Sequence, residues 1–147
     1  LLAPDRMVVF HIGDSRVLRC SGGYLRALTV DHRPFGAEIA AGRMTEAEAR
    51  ARPDARGVTR SLWRDGEAQC DLDSSLTLAP GDLFLLGTDG WHSLDGGLPR
   101  DEVKALAAGT PDPAALACAG LARAREIDGR DNATLLVVQI AEETAHG

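Results

Sequence analysis

The sequence predicts an α+β fold, and three observations carry that expectation. Short apolar, β-branched runs separated by turn residues fill the first part of the chain. A continuous apolar run, Leu83 to Thr88, has the character of a strand buried on both faces. Two helical segments and one closing strand then end the sequence, so both strands and helices contribute. The 147 residues suffice for one compact domain, and no repeat, low-complexity block or linker divides them.

Each element has its own local reason. Met7 to Ile12, Val17 to Cys20 and Tyr24 to Thr29 read as strands of an antiparallel meander, the last two joined across Ser21-Gly22-Gly23. Gly13-Asp14-Ser15 interrupts the first two, where a bulge or tight turn can aim a carboxylate away from the sheet. Phe35 to Ala41, ending at Gly42, and Thr45 to Arg52, ending before Pro53, are helical candidates. Thr45 and Glu48 have capping-box spacing, and this second helix holds too few large apolar residues to be a core element. It is expected to be a mobile surface insertion.

Strand character returns at Ala68 to Leu72 and Leu76 to Leu78, and the turn Ala79-Pro80-Gly81-Asp82 leads into the buried run. Arg100 to Ala108 and Pro113 to Glu126 are helices bounded by glycine, the second with proline at its first position. Asp95-Gly96-Gly97 reads as a turn before them. Ala133 to Ile140 is the closing strand.

Composition excludes several classes of function. A formal charge of −6 without a basic face argues against nucleic acid. No apolar run reaches the roughly 18 residues of a membrane span, so no membrane insertion is expected. Cys20, Cys70 and Cys118 are widely spaced, odd in number and without a Cys-x-x-Cys pair. They are expected to be small core residues in a reducing compartment.

The chemistry resides in carboxylates. Asp14 and Asp89 each follow a strand and Asp131 precedes one, so all three sit at strand ends. Two carboxylates about 4 Å apart repel by roughly 4 kcal/mol at an effective dielectric near 20, so convergence of all three would call for a cation. All-oxygen donors favour magnesium, manganese or calcium over zinc. Singly, each motif reads first as structural, an Asx turn at Asp14, a turn pair at Asp89-Gly90 and a cap or turn at Asp131-Asn132.

The ordered set is more specific. Gly13-Asp14-Ser15-Arg16, Leu28-Thr29-Val30-Asp31-His32, Thr88-Asp89-Gly90 and Gly129-Arg130-Asp131-Asn132-Ala133-Thr134 resemble the PP2C-type, or PPM, metal-dependent protein serine/threonine phosphatases. Ala41 to Thr45, Glu48-Ala49-Arg50 and Val58 to Leu62 resemble the flap of the bacterial members, here an insertion over about residues 32–62. The similarity spans residues 1 to 140. Trp63, where the family usually has glycine, and Trp91-His92 after Asp89-Gly90 depart from the pattern and would alter the flap hinge or the groove floor.

That resemblance implies the carboxy-terminal portion of a single PPM-type domain, an antiparallel β-sandwich flanked by helices. It implies Asp89 and Asp131 as ligands of paired Mn2+ or Mg2+ ions, with Asp14 helping to hold a third, weaker one. Gly90, Asn132 and Arg16 would support these ligands from behind. The nucleophile would be a metal-bound water, with no side chain named as catalytic. Phosphoserine and phosphothreonine proteins would be the substrates, with a serine/threonine kinase as the opposing enzyme, in a cytoplasmic monomer.

The family's bridging Asp-Gly-x-Gly-Gly segment has no counterpart in these residues, which leaves a second reading, a catalytically inactive regulatory or binding module. His11 and His32 favour structural roles, and His92 is the best placed of the histidines for acid catalysis. The 147-residue chain alone is expected to hydrolyse phosphomonoesters very slowly or not at all. Metal-dependent turnover near the rate of full-length relatives would contradict this.

Overall fold

In the computed structural model the described residues are 6–62, 69–92 and 97–141. The strands are β1 (Arg6–His11), β2 (Arg16–Ser21), β3 (Tyr24–Ala27), β4 (Asp71–Thr77), β5 (Leu83–Gly87) and β6 (Leu135–Gln139). The helices are α1 (Gly36–Ala40), α2 (Glu46–Arg50), α3 (Arg100–Gly109) and α4 (Pro113–Asp128), with a 3₁₀ turn at Pro53–Ala55. The strands form two antiparallel sheets, β1-β4 and β3-β2-β5-β6, and the expected α+β sandwich is present.

β5 shows why one apolar run specifies three layers. Its side chains alternate faces. Leu83 and Leu85 point to a cluster with Leu18, Trp91, Leu98, Val103, Leu116, Ala124 and Leu135, beneath α3 and α4. Phe84 points the other way, to Met7, Val9, Val17 and Leu76, between the sheets. Each such side chain, fully buried, contributes roughly 1.5–3 kcal/mol, so two-faced burial is what makes β5 the central strand.

The predicted helices recur with small shifts at their ends. Thr45 and Glu48 form the capping box: the Thr45 Oγ1 accepts from the Glu48 amide at 3.2 Å, and the Glu48 carboxylate accepts from the Thr45 amide at 2.7 Å. α2 is not bare of packing, because Ala49 and Ala55 are buried against Phe35, Ile39 and Met44. Phe35 takes a left-handed φ of 67°, unusual for a bulky residue, with the Arg52 guanidinium 4.6 Å from its ring centroid.

Three expectations change. The two strands around residues 68–78 are one, β4, because its backbone pairs with β1 from Asp71 to Thr77 through an irregularity between Met7 and Val9; Ala68 lies outside the described residues, as does Trp63. Cys70 and Cys118 are exposed and only Cys20 packs against the core. Cys118 misses the α4 stripe of Leu116, Gly120 and Ala124, and Cys70 precedes the first paired residue of β4. Trp91 is core, 1% exposed, rather than a groove floor. Gly87 and Gly120 leave room for its ring, a Cβ at Gly87 falling 2.2 Å from it.

Asp82 is the fully buried charge of the turn before β5. It accepts from the Ala79 amide at 2.9 Å and pairs with Arg19. Burial alone would raise its pKa, but the hydrogen bonds from Ser21, Ala79 and Arg19 prevail and hold it below the usual carboxylate range. Its stabilisation is therefore present above the unfolded-state pKa of about 3.9 and is lost as pH falls through the depressed folded value. Asp82→Asn is expected to cost about 3 kcal/mol at neutral pH and less below about pH 4, measured by urea unfolding at both pH values. An equal cost at both would contradict the charge assignment.

Candidate metal centre

Strand register assembles the candidate site. Arg16 of β2 pairs with Gly87 of β5, and Asp14 and Asp89 each lie two residues beyond that last pair, close enough for their charges to interact. Gly87 also pairs with Leu135 of β6. Beyond that pair the Thr88 amide donates to the Thr134 carbonyl at 3.1 Å, and the Thr134 amide to Thr88 Oγ1 at 2.9 Å. The loops carrying Asp89 and Asp131 then touch: a Cβ on Gly90 would lie 2.4 Å from the Asn132 carbonyl oxygen. Only glycine fits there without a backbone shift.

The three aspartates therefore share one edge of the four-stranded sheet. Burial, then the negative charges of Asp14 and Asp131, push the Asp89 carboxyl above its ordinary range. Asp89 Oδ1 accepts from the Gly90 amide at 3.1 Å, and Asp131 Oδ1 from the Asn132 amide at 2.7 Å. Gly90 and Asn132 thus orient the carboxylates through backbone N–H groups. Asp14 Oδ2 accepts from Arg33 Nε at 2.7 Å, so one charge of the trio already has a counter-ion. Among the described residues no cationic side chain is paired with Asp89 or Asp131.

A hard divalent cation fits this donor set. The oxygens are carboxylates, their mutual repulsion is registered at Asp89, and Asp131 is exposed. The trio is looser than a closed cage, since the group of three potential ligands whose donor atoms all lie within 4.8 Å of one another, among the described residues, is a different one, His11, His32 and Asp71. With Asp14 tied to Arg33, Asp89 and Asp131 are the pair left for an ion.

Arg16 is placed differently. It is buried, donates to both oxygens of Asp31 at 2.8 Å and to Glu46 Oε1 at 2.8 Å, and so fastens α2 and the segment after β3 to the sheet. Its remaining contact is His92 Nε2, 3.1 Å from Nη1. Arginine is donor only, so that nitrogen accepts, and the His92 proton sits on Nδ1, bonded to the Leu98 carbonyl. Burial and the Arg16 charge lower the His92 pKa. A buried, neutral ring with both nitrogens engaged has no proton to give, which removes the case for His92 as an acid.

A cavity of about 430 Å³ lies beside Arg16, lined among others by Arg26, Asp31, Glu46, His92 and Arg100. None of the three aspartates lines it, so this cavity is separate from the acidic edge. Asp95 and Gly96 of the expected turn lie outside the described residues.

Two antiparallel sheets, a flanking helix pair and an acidic sheet edge are the architecture of a metal-dependent phosphatase fold. A Mycobacterium tuberculosis serine/threonine phosphatase, PstP/Ppp, has a matching structure with a TM-score of 0.83 and 27% identity over 97% of this chain and 58% of that one. The catalytic domain of a serine/threonine phosphatase PstP solved with two manganese ions matches with a TM-score of 0.74 and 26% identity, over 97% of this chain and 56% of that one. Protein phosphatase PhpP of Streptococcus pneumoniae (strain D39) is 33% identical over 146 residues, 98% of this chain and 57% of that protein. No protein-family model matches the chain. The chain is similar along nearly its whole length to these serine/threonine phosphatases, and it spans just over half of theirs.

Gly90 supplies a test of the geometry that touches no ligand. Gly90→Ala must push the Asn132 backbone away and separate Asp89 from Asp131. It is expected to weaken Mn2+ binding by about 10-fold or more, in the range for groups that orient metal ligands, with strand content by circular dichroism preserved. Unchanged affinity would show that the two loops need not touch.

Proposed function

We propose that these residues belong to a metal-dependent phosphatase that hydrolyses phosphoserine and phosphothreonine in proteins. The observation that carries the reading is the convergence of Asp14, Asp89 and Asp131 at one sheet edge, within a fold shared with relatives named as protein phosphatases. In this reading Asp89 and Asp131 hold a divalent ion and Asp14, shared with Arg33, is an accessory. Bound Mg2+ or Mn2+ would supply Lewis-acid activation of water and neutralise charge on the phosphoryl oxygens.

The chain's own residues do the positioning. Gly90 and Asn132 fix the two carboxylates through backbone hydrogen bonds, and Thr88 locks the loop of Asp131 to the end of β5. Arg33 fixes the Asp14 carboxylate through a hydrogen bond from its Nε. The segment of about residues 32–62, fastened by Arg16, acts as the flap beside which a phosphorylated protein docks. The chain forms part of one domain.

A serine/threonine kinase is the opposing enzyme and the cytoplasm the compartment. Exposed, unpaired Cys70 and Cys118 suit a reducing environment, and no described helix is long and apolar enough to cross a membrane.

Calorimetric titration with Mn2+ tests the site directly. Asp89→Asn and Asp131→Asn are each expected to weaken binding at least about 10-fold, and, in a chain extended to the length of its relatives, to lower kcat on a phosphothreonine peptide by about 100-fold or more. Wild-type binding in both variants would sink the ligand assignment. Intact binding without metal-dependent hydrolysis in the extended chain would instead sink the phosphatase reading.

A further inference from the structure

A second group of potential ligands lies away from the acidic edge, at the junction of β1, β4 and the segment after β3. The donor atoms of His11, His32 and Asp71 all lie within 4.8 Å of one another. His11 and Asp71 are direct cross-strand partners, so their side chains leave the sheet on the same face. The His32 ring packs on His11 with centroids 4.7 Å apart, and His32 Nε2 is 3.0 Å from Asp71 Oδ2.

His11 makes the group unusual. The residue is 6% exposed, and among the described residues neither ring nitrogen has a hydrogen-bond partner of ordinary geometry. A buried polar group left without a partner destabilises the fold. The ring nevertheless faces two other ligand-type side chains, one of which, Asp71, opens to solvent with its side chain 52% exposed. Arg60 Nη1 holds the other carboxylate oxygen, Oδ1, at 2.8 Å and leaves Oδ2 turned toward the histidines.

We propose that His11, His32 and Asp71 bind a divalent transition cation of the zinc class, and that its binding releases the Gly13 amide from His32. Two imidazoles and one carboxylate are the donors zinc accepts with an open fourth position, in contrast to the all-oxygen edge. Ligand atoms about 2.0–2.1 Å from a tetrahedral ion stand about 3.3 Å apart, close to the present His32–Asp71 separation. His11, whose donor lies within 4.8 Å of the other two, closes the rest of the distance.

The linkage to Gly13 follows from proton counting. The Gly13 amide donates to His32 Nδ1 at 3.1 Å, so Nδ1 carries the lone pair and Nε2 the proton that Asp71 accepts. A neutral imidazole has one lone pair. Coordination through Nε2 moves that proton, by way of solvent, to Nδ1, with no net gain or loss. Nδ1–H then faces the Gly13 N–H, donor against donor, and the bond breaks. Gly13, at φ 100°, immediately precedes Asp14, so the cation is sensed one residue from the acidic edge.

The test uses the full chain titrated with Zn2+ in a large excess of Mg2+, which occupies the carboxylate edge. One Zn2+ is expected to bind, with affinity lowered at least about 10-fold in His11→Phe and in Asp71→Asn. His11→Phe replaces a ring that makes no hydrogen bond of ordinary geometry among the described residues, and Asp71→Asn changes a half-exposed surface group, so the second variant serves if the first is less stable. At saturation the Gly13 amide signal in a nitrogen–proton correlation spectrum should shift and its hydrogen exchange should quicken. Wild-type Zn2+ binding in both variants, complete displacement of Zn2+ by Mg2+, or an unmoved Gly13 amide would each overturn the proposal.

Discussion

The antiparallel register of β2, β5 and β6 is the constraint on which the acidic edge depends. Because β2 and β6 both pair with β5, one ladder fixes the strand ends from which the loops of Asp14, Asp89 and Asp131 leave, and the Thr88–Thr134 bonds carry it on to the last two. A one-residue slip in either pairing would turn Phe84 from the space between the sheets toward the helices, and Leu83 and Leu85 the other way. The hydrophobic layers therefore enforce the register, and the register places the charges. Trp91 adds a second lock: buried two residues beyond Asp89, it pins the turn that carries that carboxylate into the core under α4.

Electrostatics divides this surface into satisfied and unsatisfied charges. Arg16 and Asp31 satisfy each other bidentately and Glu46 adds a third link, so a buried cation is compensated and the segment carrying α1 and α2 is tied to the sheet. Arg33 compensates Asp14. Asp89 is the carboxylate pushed above its ordinary range, by burial and then by the charges of Asp14 and Asp131. The sheet edge is thus arranged so that the deficit of positive charge falls on Asp89 and Asp131.

Much of this was legible in the sequence, and what was not has specific causes. The two-faced run at Leu83 to Thr88, the Thr45–Glu48 capping box and the helix punctuated by Pro113 and Gly129 are local signals, and local signals survive into the fold. The placement of three aspartates at strand ends could be read, but their convergence required the pairing order. Arg16 could not be assigned a partner, since Asp31 and Glu46 reach it only after the chain has turned back over the sheet. The cysteines misled because thiol chemistry says nothing about which stripe of a helix a residue occupies. His11 gave no signal beyond its residue type, and its environment depends on β4, some sixty residues later.

His32 joins the two parts of the molecule that have ligand chemistry. Its backbone amide donates to the Gly13 carbonyl at 2.8 Å while its Nδ1 accepts from the Gly13 amide, so the residue before Asp14 is held at both its polar groups by one histidine. Its other ring nitrogen faces Asp71, on the far side of the imidazole. Whatever occupies that side competes for the single lone pair that orients Gly13. The oxygen-rich edge has the donors of a hard-cation site and the imidazole cluster those of a softer one, and His32 links the two. A backbone held by a side chain whose tautomer can change is a softer support than one held by a ladder, and it lies under Asp14 rather than under Asp89 or Asp131. The ladder-borne pair is thus the fixed part of the edge and Asp14 the adjustable one.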